Sequence, residues 1–172
     1  MSSADKNLSH VEGTPVGSAA LYKFGIVYAA WHHQVTGALL EGAKKTLLQY
    51  GADANNLVIK EVPGTFELTL GAQYLAEMTP VDAIICIGCV IQGETKHFDF
   101  ICDAVAKGIT NLNVAYRLPV IFGVLTPNTM EQAMDRAGGK HGNKGDEAAI
   151  TAIKMLELRD SFKSGNSVGF KR

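Results

Sequence analysis

Apolar positions along this chain fall into short blocks separated by longer stretches with helical spacing. Phe24-Gly25-Ile26-Val27-Tyr28-Ala29 is the first block and predicts a strand. Residues 34–50 follow with Leu39, Ala43, Leu47 and Tyr50 near one helical face, and Gly51 is placed to stop them. Leu57 to Val62 predicts a second strand, halted by Pro63-Gly64, and residues 66–78 predict a helix. The third strand is expected over 82–91 and the next helix over about 96–112. The fourth strand is expected from Pro119 to Leu125. Thr126-Pro127 then suggests a helix start, since proline is tolerated in a first turn, and Gly138-Gly139 an end. A last helix is expected over about 145–159.

Strands alternating with helices imply βαβ units and a parallel sheet. The third and fourth strands are almost continuously apolar, as strands covered on both faces are. The expected architecture is a flavodoxin-like α/β three-layer sandwich. Its four parallel strands run in the order 2-1-3-4, with helices on both faces. Residues 21–160 form the expected single domain. Residues 1–20 and 161–172, without periodicity, are expected as flexible tails. In the last helix, Ala148, Ala149, Ile150, Ala152, Ile153, Met155 and Leu156 spread over more than one stripe. Such a helix is either deeply buried or in contact with another subunit.

Composition narrows the function classes. The 172 residues carry a net charge of −1, with 47% apolar and 19% charged residues, so no nucleic-acid or membrane-surface partner is indicated. No apolar run approaches the ~20 residues of a membrane span, and no secretory leader is recognisable, which makes the cytoplasm the expected location. Cys86 and Cys89 form a CxxC, but on a strand residues three apart point to opposite faces. They are expected as small buried hydrophobes rather than a redox or metal pair.

Ligands of such folds bind beyond the carboxyl ends of the strands. Gln92-Gly93-Glu94-Thr95-Lys96-His97-Phe98-Asp99 lies there: a glycine turn opens a helix whose first amides lack helical partners, a setting suited to phosphate. His97 in its first turn is placed to pass protons, although a surface histidine without a role fits the same position. In Val62-Pro63-Gly64-Thr65-Phe66-Glu67-Leu68, Thr65 can cap a helix. Glu67 either complements the helix dipole or accepts hydrogen bonds from a polyol, and Phe66 either stacks or joins the core. Trp31, at the end of the first strand, suits a planar heterocycle or plain packing equally well. Arg136 and Lys144 flank Ala137-Gly138-Gly139-Lys140-His141-Gly142-Asn143. A guanidinium suits bidentate phosphate binding, whereas a simple turn between helices is the plainer reading. The stretch is not a P-loop: Asn143 stands where glycine is required, and Gly145 where serine or threonine is. His10, His32, His33 and His141 share no metal-ligand spacing, so no metal is assigned.

Four segments together resemble the lumazine synthase family in order and spacing, over about residues 22–158. They are 62–68, 88–99, Pro119-Val120-Ile121-Phe122-Gly123-Val124-Leu125-Thr126 and 136–145. The resemblance implies condensation of 5-amino-6-(D-ribitylamino)uracil with 3,4-dihydroxy-2-butanone 4-phosphate, without a cofactor. It implies that Trp31 stacks on the pyrimidine and that Thr65, Phe66 and Glu67 hold the ribityl chain. The backbone of Cys89, Val90 and Ile91 would read the ring edge. Amides of Glu94 and Thr95 would meet the phosphate, with charge from Arg136 and, more weakly, Lys144. Phe122 would come from a neighbouring subunit, and His97 would move protons. Trp31 stands where the family commonly has Phe, which suggests affinity for flavin. The family builds pentamers, some of them joined into a sixty-subunit shell, and the uninserted 138–144 stretch points to the shell, with riboflavin synthase a candidate partner. The alternatives are an archaeal-type riboflavin synthase, a flavodoxin-like flavin carrier and a non-catalytic shell protein.

Overall fold

The computed structural model describes residues 16–164. It contains β1 (Phe24–Ala29), α1 (His33–Gln49), β2 (Leu57–Val62), α2 (Leu68–Met78), β3 (Ala83–Cys89) and α3 (His97–Tyr116). β4 (Val120–Leu125), α4 (Met130–Asp135), β5 (Ala137–Gly139), β6 (Gly142–Asn143) and α5 (Lys144–Ser164) follow. The main sheet has the order β2-β1-β3-β4, every pair parallel, as the alternating pattern predicts.

Side-chain alternation divides the core into two layers. Ala83, Ile85, Ile87 and Cys89 of β3 pack toward α1 and α5, in a cluster with Leu39, Ala43, Leu47, Ile153 and Leu156. Ile84 and Cys86 point the other way, toward Leu68, Leu75, Val105 and Ile109 of α2 and α3. The CxxC thiols therefore lie in different layers. Burial pushes both up, Cys89 to about 12, so both are protonated packing groups. Close approaches between elements require glycine, two of them beside the functional elements. A Cβ on Gly145 would lie 1.9 Å from the Leu39 carbonyl oxygen, so α5 starts directly against α1. A Cβ on Gly88 would meet Leu68 and Thr65 at 2.8–2.9 Å, where β3 passes the head of α2.

Several boundaries differ from the expected ones. The helix after β4 begins at Met130, not at Pro127. Thr129 caps it by accepting from the Gln132 amide at 3.2 Å, while the Pro127 carbonyl takes the Gln92 amide at 3.0 Å. Residues 137–143 form a small antiparallel hairpin rather than a plain turn. Helix α3 runs on to Tyr116, because the Asn113 side chain bonds the backbone of both Ile109 and Val120 and carries the chain into β4. Of residues 1–20, 1–15 lie outside the described part. Ala19 is fully buried, with its amide on the Tyr50 carbonyl at 2.8 Å. Of residues 161–172, those to Ser164 continue α5, and 165–172 lie outside the described part. Six of the seven apolar residues singled out in α5 are buried within the chain itself, and only Met155 stays open.

Candidate active site

Strand ends and helix heads converge on one cleft. β1 and β2 keep pairing past their nominal ends: the Ala30 amide donates to Val62 at 2.8 Å, and the Trp31 amide to Pro63 at 3.2 Å. This places Trp31 beside the 63–67 turn with its indole 69% exposed. The buried Thr65 hydroxyl donates to the Cys89 carbonyl at 3.2 Å, so Thr65 ties the turn to the end of β3 instead of capping α2. Glu67 occupies the cap position of α2, but its side chain caps nothing, which leaves the exposed carboxylate for a ligand. The result is a cleft of about 480 Å³ lined by Trp31, Thr65, Phe66, Glu67, Cys89, Val90, Ile91 and His97, together with His32, Gly64 and Ile101.

Beyond Ile91 the chain climbs to the head of α3. The Val90 amide pairs with Leu125 at 2.9 Å and that of Gln92 with Pro127, and there the pairing stops. Among the described residues, the amides of Gly93, Glu94 and Thr95 carry no hydrogen bond, and the Thr95 hydroxyl accepts from the His97 amide at 3.4 Å. Glu94 and Thr95 lie outside the lining of this cleft, while the exposed His97 belongs to it. Unsatisfied amides at a helix N-terminus attract an anion.

The remaining expected residues sit elsewhere. Phe122, Arg136 and Lys144 line a second cleft of about 630 Å³, between the edge strand β4, α4 and α5. Phe122 is the one exposed residue of β4, at 43%. Lys144 is already paired with the buried carboxylate of Glu147 at 2.6 Å, and Lys140 with Asp135 at 3.0 Å. Arg136 has no ion-pair partner among the described residues, which makes it the freer cation. Its carbonyl takes the Lys144 amide at 2.9 Å, closing the hairpin. Among the described residues, no cluster of three His, Cys, Asp or Glu side chains could hold a metal ion.

Sequence reasoning missed His32 as a lining residue and Glu147 as the partner of Lys144. The preference of histidine for left-handed backbone is too weak a signal to place His32 in the cleft. The spacing of Lys144 and Glu147, i and i+3 on a helix, did hold a usable hint.

The fold and the cleft define an α/β enzyme that offers an aromatic plate, a carboxylate and an open helix N-terminus along one sheet edge. The sequence profile of the 6,7-dimethyl-8-ribityllumazine synthase family matches residues 21–160. The chain is 61% identical over 156 residues to a 6,7-dimethyl-8-ribityllumazine synthase of Cytophaga hutchinsonii, covering 91% of this chain and 98% of that one. It is 53% identical over 158 residues to one of Parabacteroides distasonis, with 92% and 99% coverage. It is 54% identical over 158 residues to one of Porphyromonas gingivalis, with 92% and 98% coverage. The chain belongs to the 6,7-dimethyl-8-ribityllumazine synthase family, and is a transferase of riboflavin biosynthesis. Membership does not favour the riboflavin synthase and flavin-binding shell alternatives.

Proposed function

We propose that this chain joins 5-amino-6-(D-ribitylamino)uracil to 3,4-dihydroxy-2-butanone 4-phosphate, giving 6,7-dimethyl-8-ribityllumazine, phosphate and two molecules of water, at a site shared between two copies. The carrying observation is that the groups suited to the ring and polyol line one cleft, while Phe122 and Arg136 line another. Trp31 stacks on the pyrimidine, the backbone of Cys89, Val90 and Ile91 reads its edge, and Thr65, Phe66 and Glu67 hold the ribityl chain. The 93–95 amides take the phosphate at the head of α3. A neighbouring copy brings Arg136 to that phosphate and closes the ring side with Phe122, with Lys144 nearby.

His97 stands between the ring cleft and the anion turn. In this reading its imidazole takes a proton from the attacking amine. It then assists loss of water from the carbinolamine and loss of phosphate, after which the ribityl-bearing nitrogen attacks the remaining carbonyl and a second water leaves as the ring closes. Much of the acceleration comes from holding two reactants together.

Surface chemistry supports the shared site. Phe66, Leu70, Tyr74 and Met78 recur at every fourth position and all are exposed, as are Phe122, Met155 and Leu158 on the other side of the chain. Two different apolar faces fit head-to-tail contact, which gives a ring where the rotation between copies closes. The five-membered ring, and twelve such rings in a shell, rest on the family likeness and the short 137–143 hairpin. Riboflavin synthase is the candidate partner of the shell. Three free thiols fit a reducing cytoplasm.

Mixing the two substrates tests the activity: growth of the lumazine chromophore is expected, and a flat trace with folded protein rejects it. Light scattering reads the assembly, and a monomer at micromolar concentration would contradict the shared site.

A further inference from the structure

The backbone on both sides of Trp31 is fixed, but its indole is not. The Trp31 amide is held by Pro63, and the next residue, His32, anchors α1 by accepting from the amides of Val35 at 2.8 Å and Thr36 at 3.0 Å. His32 does this in the left-handed region, at φ 59° and ψ 44°, as the residue preceding α1. Few non-glycine residues adopt that region, although histidine, asparagine and aspartate do so more often than others. Its consequence is directional. The chain turns from β1 into α1 over residues 30–32, and the two neighbouring residues Trp31 and His32 both line the cleft.

The rings meet edge to face. Their centroids are 6.0 Å apart and their planes stand at 76°. That geometry is the favourable one for neighbouring aromatic groups. No other ring contact of Trp31 is present among the described residues. Burial lowers the pKa of His32, so the ring it presents to the indole is neutral at ordinary pH.

We propose that His32 is a positioning residue for the ring platform: its left-handed turn aims Trp31 into the cleft and its imidazole braces the indole edge-on before any ligand arrives. An exposed indole must otherwise be immobilised when a ring stacks on it. Ordering one such side chain in advance is worth about three- to tenfold in affinity. The value of the brace to catalysis rests on the reading of the cleft as a ring site. The brace itself does not.

The chain has a single tryptophan, so its emission reports Trp31 alone. Two variants remove the brace while keeping the turn. Glycine accepts a positive φ without strain, and asparagine tolerates it. In full-length His32→Gly and His32→Asn, Trp31 fluorescence anisotropy is expected to fall, with the thermal midpoint little changed. The KM for the ribitylaminouracil is expected to rise about three- to tenfold. The KM for the butanone phosphate and kcat should stay within about twofold, since positioning of one ring affects uniform binding only. Unchanged anisotropy in both variants overturns the brace. An equal rise in both KM values alongside a lowered midpoint also overturns it, since a general structural defect does the same. Lower anisotropy with an unchanged ring KM leaves the brace standing and overturns Trp31 as the ring platform.

Discussion

The cleft at the ends of β1, β2 and β3 is built into the pairing of those strands, whereas the cleft beside β4 has a sheet edge for a wall. In the first, strand pairing continues through Ala30 and Trp31, and a buried hydroxyl ties Thr65 to Cys89. In the second, Phe122 stands open on an outer strand, and Arg136 has no ion-pair partner among the described residues. The two sheet edges differ in the same sense. β2 carries the exposed charges Lys60 and Glu61, which protect an edge from further pairing. β4 carries no charge at all and shares its cleft with exposed Met155. A finished half and an unfinished half on one chain suggest that completion comes from a second copy.

Four substitutions would break or sharpen that contrast. Arg136→Ala has the largest expected effect, a loss of about a hundredfold or more in kcat/KM, carried by the KM of the phosphate substrate. Steady-state kinetics with the ring substrate saturating checks it, and unchanged values would assign the phosphate charge elsewhere. His97→Gln is expected to lower kcat about ten- to a hundredfold without abolishing turnover. Wild-type kcat would remove His97 from proton transfer. Phe122→Ala should raise the KM of the ring substrate about three- to tenfold while the isolated chain stays as stable as before, because Phe122 is not part of its core. Thr65→Val has the smallest effect and a different kind. The lost hydrogen bond leaves the Cys89 carbonyl unpaired at a cost of about 1 kcal/mol, lowering the thermal midpoint by roughly 2–4 °C. A larger fall from Phe122→Ala than from Thr65→Val would reverse the contrast between the halves.

The sheet was legible because its signal is local. The apolar blocks of β1 to β4 and the glycine stops between them give strand order and helix faces directly. The first cleft was legible because strand ends in this architecture point to one place, where the sequence sets Trp31, Thr65, Glu67, Cys89 and His97. The missing parts depend on information that is not local. Thr129 and the Pro127 carbonyl shift the start of α4, since a cap and a strand extension compete for the same four residues. Thr65 looked like a cap because its preference for that role is general, whereas its bond to Cys89 exists only once β3 is beside it. His32 stays hidden in the sequence because most histidines are not left-handed, and its positive φ is fixed by the turn between β1 and α1. The apolar breadth of α5 fits deep burial or a neighbouring subunit equally well in sequence, and α1 and the sheet cover most of it.

The shared site is the central claim, and mixing two crippled chains tests it most directly. One chain carries Phe122→Ala and Arg136→Ala and keeps an intact ring cleft. The other carries Trp31→Ala and His97→Gln and keeps an intact edge cleft. Each alone should be nearly inactive. When the two are unfolded and refolded together in equal amounts, random head-to-tail assembly should restore about a quarter of the wild-type sites, and lumazine formation should return to about that fraction. Activity no higher than the average of the separate variants, in a mixed assembly of wild-type size, would contradict a site built from two copies.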